Sequence, residues 1–360
     1  MKLTGSLKNL PKLLRPEFIP QFVRETSYVE HLEPEEYTID CSRYQRNLAS
    51  NNALKAKVTD RFRRVGFVYL VNTGTTDPST LLAPFKHILG VGNKYDGGAN
   101  PRDYIDQDVY NTGAIPQQTL HYHHEMQYLH ESIRSIAFFC LGMSEGVDGS
   151  TYFSNNIGYT RDMERRHIGQ KIIQKGTCIV RRWTDRNYFK DRPLVNYYNH
   201  WQQSFLTEHR KEVEMKLNKF NVKEISWDPE TGLLEGKFYP PVYEYCPHID
   251  RNLLYSTISD HAIWFDTDVN ISDIPDNDRP HVMYLGDGSE FTKEEVMECI
   301  EVADNHGLKI NWKPGEAALA CNYRFMHGRA GVSLKPGQER KLGVTLGEKF
   351  ERMGPLPGKY

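Results

Sequence analysis

The chain has 360 residues, of which 39% are hydrophobic and 12% aromatic, and its formal net charge is −2. This apolar content suffices for a sizeable core, whereas the near-zero charge gives no electrostatic basis for binding nucleic acid or an anionic membrane. No stretch has the apolar length of a signal peptide or a membrane span. The six cysteines form no C-x-x-C pair, which indicates free thiols and a cytoplasmic protein.

The N-terminal part of the chain predicts an irregular arm followed by a domain that opens with a helix and a strand. Residues 1–50 are rich in proline and charge, so we assign residues 51–360 to one domain. Apolar residues at helical spacing predict a helix over 53–65, and a short buried strand follows at 67–71. A second helix is predicted over 79–88, with a kink at Pro84, before a glycine-rich loop.

A candidate metal-binding pair lies in the next predicted strand. Residues 118–126 lack Gly and Pro and carry aromatic and β-branched side chains, which is typical of a strand. Side chains two apart in a strand share a face, so His123 and Glu125 would project together, whereas His124 would point away. His121 lies on the same face as the pair, so the alternation leaves open which two of the three residues bind a metal.

Further helices and strands are predicted after this strand. A variable insert is expected at about 155–260, and Thr292 with Glu295 forms a capping box that opens a helix ending near residue 305. The remaining predicted elements are strands at 136–141, 178–180, 309–312 and 317–321 and helices at 162–174, 201–205 and 209–220.

A second candidate metal-binding piece lies near the C-terminus, in residues 322–329, which read NYRFMHGR. His327 could add a second imidazole to His123 and Glu125. Two imidazoles and one carboxylate form the facial triad of non-haem iron oxygenases, which leaves positions open on ferrous iron. If both pieces face one cavity, we expect an oxygenase.

The order of these motifs resembles the TauD/TfdA family of iron(II)/2-oxoglutarate-dependent oxygenases, which includes clavaminate synthase-like and SyrP-like enzymes. The resemblance extends over about residues 55–348. It implies a mainly β, mixed α/β fold, namely a double-stranded β-helix (jelly roll) flanked by helices. It also implies the cofactors iron(II), 2-oxoglutarate and dioxygen. The motifs that carry it are residues 109–113, 123–128, 134–141, 148–151, 201–207, 287–289, 322–329 and 340–342.

The resemblance also implies roles for individual residues. His123, Glu125 and His327 match the three iron ligands of the family. Thr151, 26 residues after Glu125, matches a residue whose hydroxyl contacts 2-oxoglutarate, and Arg340, 13 residues after His327, matches the arginine that grips its far carboxylate. A guanidinium suits this task because its planar fork meets a carboxylate with two hydrogen bonds and stays charged.

Two positions argue against particular substrates and reactions of the family. Taurine dioxygenase has a second arginine, for the sulfonate of its substrate, where this chain has Val344. Taurine is therefore disfavoured as the substrate. Related halogenases replace the carboxylate ligand with a small residue, and Glu125 at that position argues against halogenation.

The sequence leaves the substrate and the reaction outcome open. Asn72, Tyr128 and Arg329 are candidate substrate contacts because they adjoin the motifs, although a strand end, core packing and a structural ion pair would explain them equally well. We expect hydroxylation of a small polar, amino-acid-derived metabolite. Cyclisation or desaturation in natural-product biosynthesis is an alternative, and a non-catalytic, cupin-like metal-binding protein is a second one. The oligomeric state is left open.

Overall fold

A computed structural model describes residues 32–90, 104–106, 108–112, 117, 119–187, 200–220, 222–265 and 279–360. The predicted glycine-rich loop, residues 90–101, therefore lies outside the described residues except for Gly90. The described helices are α1 (Pro34–Tyr37), α2 (Asn52–Val65), α3 (Pro78–Leu82), α4 (Lys86–Leu89), α5 (Asn156–Met163), α6 (His167–Lys175), α7 (Trp201–Ser204), α8 (Arg210–Lys219) and α9 (Lys293–Asp304).

The described strands follow in chain order. They are β1 (Thr38–Asp40), β2 (Phe67–Val71), β3 (Tyr104–Asp106), β4 (Val109–Asn111), β5 (Leu120–His123), β6 (Glu131–Ile133), β7 (Ser135–Met143), β8 (Thr151–Asn155), β9 (Thr177–Trp183), β10 (Glu224–Trp227), β11 (Leu234–Phe238), β12 (Tyr243–Cys246), β13 (Arg251–Leu254), β14 (His281–Leu285), β15 (Gly307–Ile310), β16 (Ala317–Cys321), β17 (Phe325–Arg329), β18 (Arg340–Leu346) and β19 (Lys349–Glu351).

Two facing sheets form the core of the molecule. The major sheet has the strand order β1-β2-β16-β7-β18-β4-β3, and the minor sheet has the order β15-β8-β17-β5. All pairings in both sheets are antiparallel except β1 with β2, which are parallel. The predicted fold class, a double-stranded β-helix flanked by helices, is confirmed.

Aromatic side chains fill the space between the two sheets. Phe67 of the major sheet packs on Phe153 and Phe325 of the minor sheet, with ring centroids 4.7 and 5.4 Å apart. Phe138 continues this layer, because its centroid lies 5.5 Å from that of Phe153 and 5.2 Å from that of His327. Such ring pairs contribute on the order of 1 kcal/mol each beyond the burial of their area. The layer therefore gives the His327 ring a rigid apolar support.

Local signals predict several of these elements well. The Asn51 side chain caps α2 by accepting a hydrogen bond from the Leu54 amide, and Gly66 ends the helix with φ +83°. The capping box of Thr292 and Glu295 opens α9 as expected. The predicted helix over 79–88 is divided into α3 and α4 around Pro84, which lies in the turn between them.

The N-terminal arm and the predicted ligand strand differ from expectation. Thr38–Asp40 pairs with β2 at the edge of the major sheet, so the described part of the arm is not irregular throughout. The predicted strand over 118–126 ends at His123, because residues 125–128 form a turn in which Met126 has φ +57°. Glu125 therefore lies beyond the strand that carries His123.

The region of the predicted insert forms a separate outer layer. It contributes β9, β10 and β11 to a sheet of order β10-β11-β9-β14, in which β14 comes from later in the chain. The single helix predicted over 162–174 is two helices, α5 and α6. A 3₁₀ helix at Ile258–Phe265 packs against β5, the strand that carries His123, and so connects the outer layer to the minor sheet. Among the described residues, no helix has the length and apolar character needed to cross a membrane.

Candidate active site

The two separated pieces of sequence meet across the minor sheet. His123 is the last residue of β5, and its register partner on β17 is His327. Their ring centroids lie 4.3 Å apart. The Glu125 Oε2 atom lies 3.6 Å from His327 Nε2. The three potential ligand atoms all lie within 4.8 Å of one another, and no other group of this kind occurs in the described part of the chain.

This donor set fits a transition-metal ion. Two imidazole nitrogens and one carboxylate oxygen are the ligands of the facial triad. Adjacent ligand atoms on an octahedral ion with bonds of about 2.1 Å lie roughly 3 Å apart, so the observed separations need only small movements of the side chains. His123 Nδ1 donates to the carbonyl oxygen of His121 at 2.8 Å, which directs Nε2 of the same ring toward the other two ligands.

The neighbouring histidines are not part of the triad. His121 contributes its carbonyl oxygen to the orientation of His123, and its ring does not line the cavity. The His124 ring is buried and stacks on Tyr255, with centroids 4.2 Å apart. The amide of Ser256 donates to His124 Nδ1 at 3.2 Å. Burial is the main cause that lowers the pKa of His124 to about 3. These contacts give His124 a structural role in a neutral form.

The Glu125 backbone is fixed from three sides. Its amide donates to the Asn322 side-chain oxygen at 2.9 Å, and its carbonyl oxygen accepts from the Asn322 side chain at 3.1 Å and from the Ser132 hydroxyl at 2.8 Å. These hydrogen bonds stabilise the turn in which Met126 adopts a positive φ. The turn, and not strand alternation, therefore aims the Glu125 carboxylate at the two imidazoles.

Thr151 and Arg340 line the same cavity as the triad. The cavity has a volume of about 160 Å³. Arg340 Nε donates to the Gly149 carbonyl oxygen at 3.1 Å, and burial is the main cause that lowers the pKa of Arg340. A Cβ atom on Gly149 would lie 2.9 Å from Arg340 Nε, so glycine leaves the room that the guanidinium occupies. The structure thus brings both residues to the cavity that holds the triad.

The Thr151 hydroxyl has a defined orientation. Its oxygen accepts a hydrogen bond from Trp312 Nε1 at 2.8 Å. A hydroxyl that accepts one hydrogen bond still has its own proton to donate, and because Thr151 lines the cavity this proton is available to a ligand there. A carboxylate oxygen is a suitable acceptor for that proton.

Of the three predicted substrate contacts, two line the cavity and one does not. Tyr128 lines it and packs edge-on against Phe238. Arg329 also lines it, is buried, and has its pKa lowered to about 10 by burial and by the nearby Arg340. Asn72 is exposed at the end of β2, where its side chain donates to Asp40 at 3.2 Å. Asn72 is not among the described residues that line the cavity, so the structure gives no support to Asn72 as a substrate contact.

Sequence reasoning missed three ionisable residues that line the cavity from the outer layer. Arg181 lies on β9, Asp260 in the 3₁₀ helix and His281 on β14. The one signal for them in the sequence is that Arg181 directly follows the predicted strand at 178–180. Asp260 and His281 carry no sequence motif, because only the packing of the outer layer brings them to the cavity.

The family model described as "Taurine catabolism dioxygenase TauD, TfdA family" matches residues 30–346 of this chain. The chain belongs to the TauD/TfdA family. It is an iron(II)/2-oxoglutarate-dependent dioxygenase, whose cofactors are iron(II), 2-oxoglutarate and dioxygen. This assignment excludes the alternative of a non-catalytic, cupin-like metal-binding protein.

Individual proteins similar to this TauD/TfdA dioxygenase are distant in sequence. A clavaminate synthase-like protein of Arabidopsis thaliana is 22% identical over 239 residues, which cover 65% of this chain and 68% of that protein. The crystal structure of an asparagine oxygenase in complex with Fe(II), 2S,3S-3-hydroxyasparagine and succinate has a TM-score of 0.48 and 11% identity. That match covers 86% of this chain and 93% of the other.

Proposed function

We propose that this dioxygenase hydroxylates a C–H bond of a small polar, amino-acid-derived metabolite. In the overall reaction R–H, 2-oxoglutarate and dioxygen give R–OH, succinate and carbon dioxide, so one oxygen atom enters each organic product. The observation that carries the proposal is that the triad and the two candidate co-substrate residues, Thr151 and Arg340, line one cavity.

We assign His123, Glu125 and His327 to iron binding. When bound there, iron(II) with 2-oxoglutarate and dioxygen supplies the oxidant that removes hydrogen from the substrate. The protein orients this site through the hydrogen bond between His123 and the His121 carbonyl and through the hydrogen bonds of Asn322 to the Glu125 backbone.

We assign Arg340 and Thr151 to the far carboxylate of 2-oxoglutarate. The Arg340 guanidinium can donate more than one hydrogen bond to a carboxylate while its Nε remains on Gly149. The Thr151 hydroxyl can add another, because Trp312 occupies the acceptor side of its oxygen. Such an anchor would fix the orientation of the co-substrate.

Apolar side chains line the cavity beside these polar groups. Phe138, Leu342 and Val344 line the cavity from the major sheet, and Met283 lines it from the outer layer. A dry cavity strengthens the hydrogen bonds to the co-substrate and protects the oxidant from side reactions. Val344 leaves that part of the wall apolar, which suits a substrate without a sulfonate.

A spectroscopic experiment tests the assignment of the ligands. Anaerobic addition of ferrous iron and 2-oxoglutarate should produce a metal-to-ligand charge-transfer band, and admission of air with a substrate should yield succinate. His327→Ala should lose iron, whereas Arg340→Ala should retain iron and need more 2-oxoglutarate. Equal loss of iron in both variants would contradict the assigned roles, and absence of the band in the wild type would contradict the site.

The mass of the product distinguishes the possible outcomes. A gain of one oxygen atom is the result expected for hydroxylation, whereas a loss of two hydrogen atoms would indicate desaturation or cyclisation instead.

The cytoplasmic location of the protein and its division into an arm, a domain and an insert stay predictions. All six cysteines are buried and free of disulfides, as a reducing compartment would allow.

A further inference from the structure

The outer layer places one arginine in the cavity. Arg181 lines the cavity from β9, and its guanidinium lies over the Tyr128 ring, 4.5 Å from the centroid. Within the described ranges, Arg181 forms no ion pair with a carboxylate. The ring contact holds the guanidinium in place but does not neutralise it, so a carboxylate of a ligand can bind there.

The same layer places one anion in the cavity. The Asp260 carboxylate lies 3.9 Å from His281 Nε2, and among the described groups this imidazole is its ion-pair partner. Burial is the main cause that lowers the pKa of His281 to about 4; Asp260 raises this pKa, whereas Arg181 and Arg279 lower it further. Among the described residues, no lysine or arginine forms an ion pair with Asp260.

These two opposite charges flank the same histidine. His281 and Arg181 are register partners on the antiparallel strands β14 and β9, so their side chains project from one face of that sheet. Asp260 approaches His281 from the 3₁₀ helix. All three residues line the cavity that also contains His123, Glu125 and His327.

We infer that the substrate is a zwitterion, an α-amino acid or a derivative that keeps a free carboxylate and a protonated amine. Arg181 binds the carboxylate, Asp260 binds the ammonium group, and the side chain extends toward the triad. This inference rests on the proposed function and specifies its substrate class. 2-Oxoglutarate fits this pair poorly, because it has no cationic group and Asp260 would repel both of its carboxylates.

A binding screen tests the charge requirement without knowledge of the natural substrate. The anaerobic complex of the protein with iron(II) and 2-oxoglutarate is titrated with the standard L-amino acids and with their N-acetyl and carboxamide derivatives. We expect that at least one free amino acid shifts the charge-transfer band and stimulates succinate formation under air. Its two derivatives should bind roughly tenfold or more weakly. A panel in which no zwitterion shifts the band, or in which the derivatives bind equally well, overturns the inference.

Two variants test the residues. Arg181→Met should weaken binding of the free amino acid roughly tenfold or more and abolish the preference over its carboxamide. Asp260→Asn should do the same for the preference over the N-acetyl compound. The matched controls are Arg186→Met and Asp185→Asn, at residues that do not line the cavity. Unchanged amino-acid binding in both cavity variants would overturn the inference.

The charge-transfer band that forms with iron(II) and 2-oxoglutarate, without an amino acid, distinguishes failure of this inference from failure of the proposed function. Both cavity variants should form that band at wild-type concentrations of 2-oxoglutarate. If Arg181→Met instead weakens formation of the band, Arg181 serves the co-substrate and the inference fails. If the wild type forms no band, the proposed function itself fails.

Discussion

The side chain of Asn322 binds both the amide and the carbonyl oxygen of Glu125, which lies 197 positions earlier in the chain. Asn322 is completely buried, and it also donates to the Ile133 carbonyl oxygen at 3.0 Å. One amide group thus joins the turn that carries the carboxylate ligand to the loop just before the strand that carries His327. We regard Asn322 as a positioning residue for the candidate iron site.

Asn322→Ala should weaken iron binding roughly 10- to 100-fold, as is typical when the support of a metal ligand is lost. The Glu125 turn would lose both hydrogen bonds, and the carboxylate would no longer be held toward the imidazoles. Anaerobic titration with ferrous iron measures the effect. Asn218→Ala, at an exposed position of α8, is the control. Wild-type iron affinity in a folded Asn322→Ala protein would show that the turn holds Glu125 without this side chain.

Trp312→Phe should raise the concentration of 2-oxoglutarate needed for half-saturation several-fold and leave iron affinity unchanged. The indole donates to the Thr151 hydroxyl oxygen and so restricts the directions in which the hydroxyl proton can point. Phenylalanine keeps most of the ring packing and removes the donor. The charge-transfer band recorded against 2-oxoglutarate concentration measures the change. If the required concentration stays at the wild-type value, the orientation of the Thr151 hydroxyl does not matter for the co-substrate.

Arg352→Met should destabilise the protein by about 3–5 kcal/mol, because it leaves a buried carboxylate without its partner. Arg352 Nε lies 3.0 Å from Glu244 Oε2, and both side chains are buried. Burial raises the pKa of Glu244 in spite of this arginine. Arg352 also donates to the carbonyl oxygens of Gln127 and Pro241, which connects the C-terminal strand region to the Glu125 turn.

The double variant Arg352→Met with Glu244→Gln provides the control for this prediction. It removes the uncompensated charge, so it should be more stable than Arg352→Met alone. Urea unfolding monitored by circular dichroism gives the three free energies of unfolding. Equal stability of the single and double variants would mean that loss of the hydrogen bonds to Gln127 and Pro241, and not the buried charge, causes the destabilisation.

The free energy of unfolding should decrease as the pH falls from about 6.5 to about 4, in part through His248. Burial between Phe62 and Tyr323 is the main cause that lowers the pKa of His248 to about 4, and Arg324 adds to it. In the unfolded chain an imidazole takes up a proton near pH 6.5. The unfolded state therefore binds more protons in this window, so acid favours unfolding.

His248→Gln should have a shallower dependence of stability on pH between 6.5 and 4 than the wild type. Urea unfolding of the metal-free proteins at several pH values in this range measures both slopes. His209→Gln, at an exposed position, should keep the wild-type slope. Parallel slopes for wild type and His248→Gln would exclude a contribution from His248.

Interactions between residues close in sequence made much of this protein predictable. Helix α2 is defined by apolar spacing, the Asn51 cap and Gly66, all of which act within a few residues. The motif order was equally informative, because by itself it indicates the TauD/TfdA family, and the family model confirms this assignment. The order of motifs also selected His123 from the three alternating candidates.

Other features of this protein were decided only by the tertiary structure, because they depend on contacts between distant parts of the chain. Alternation predicted that Glu125 shares a strand with His123, whereas Asn322 holds it in a turn. Strands β15 and β16 are consecutive, yet they belong to different sheets. Arg181 and Asp260 reach the cavity because the outer layer packs over β5. Such placements follow from long-range strand pairing and packing, which no local pattern of side chains specifies.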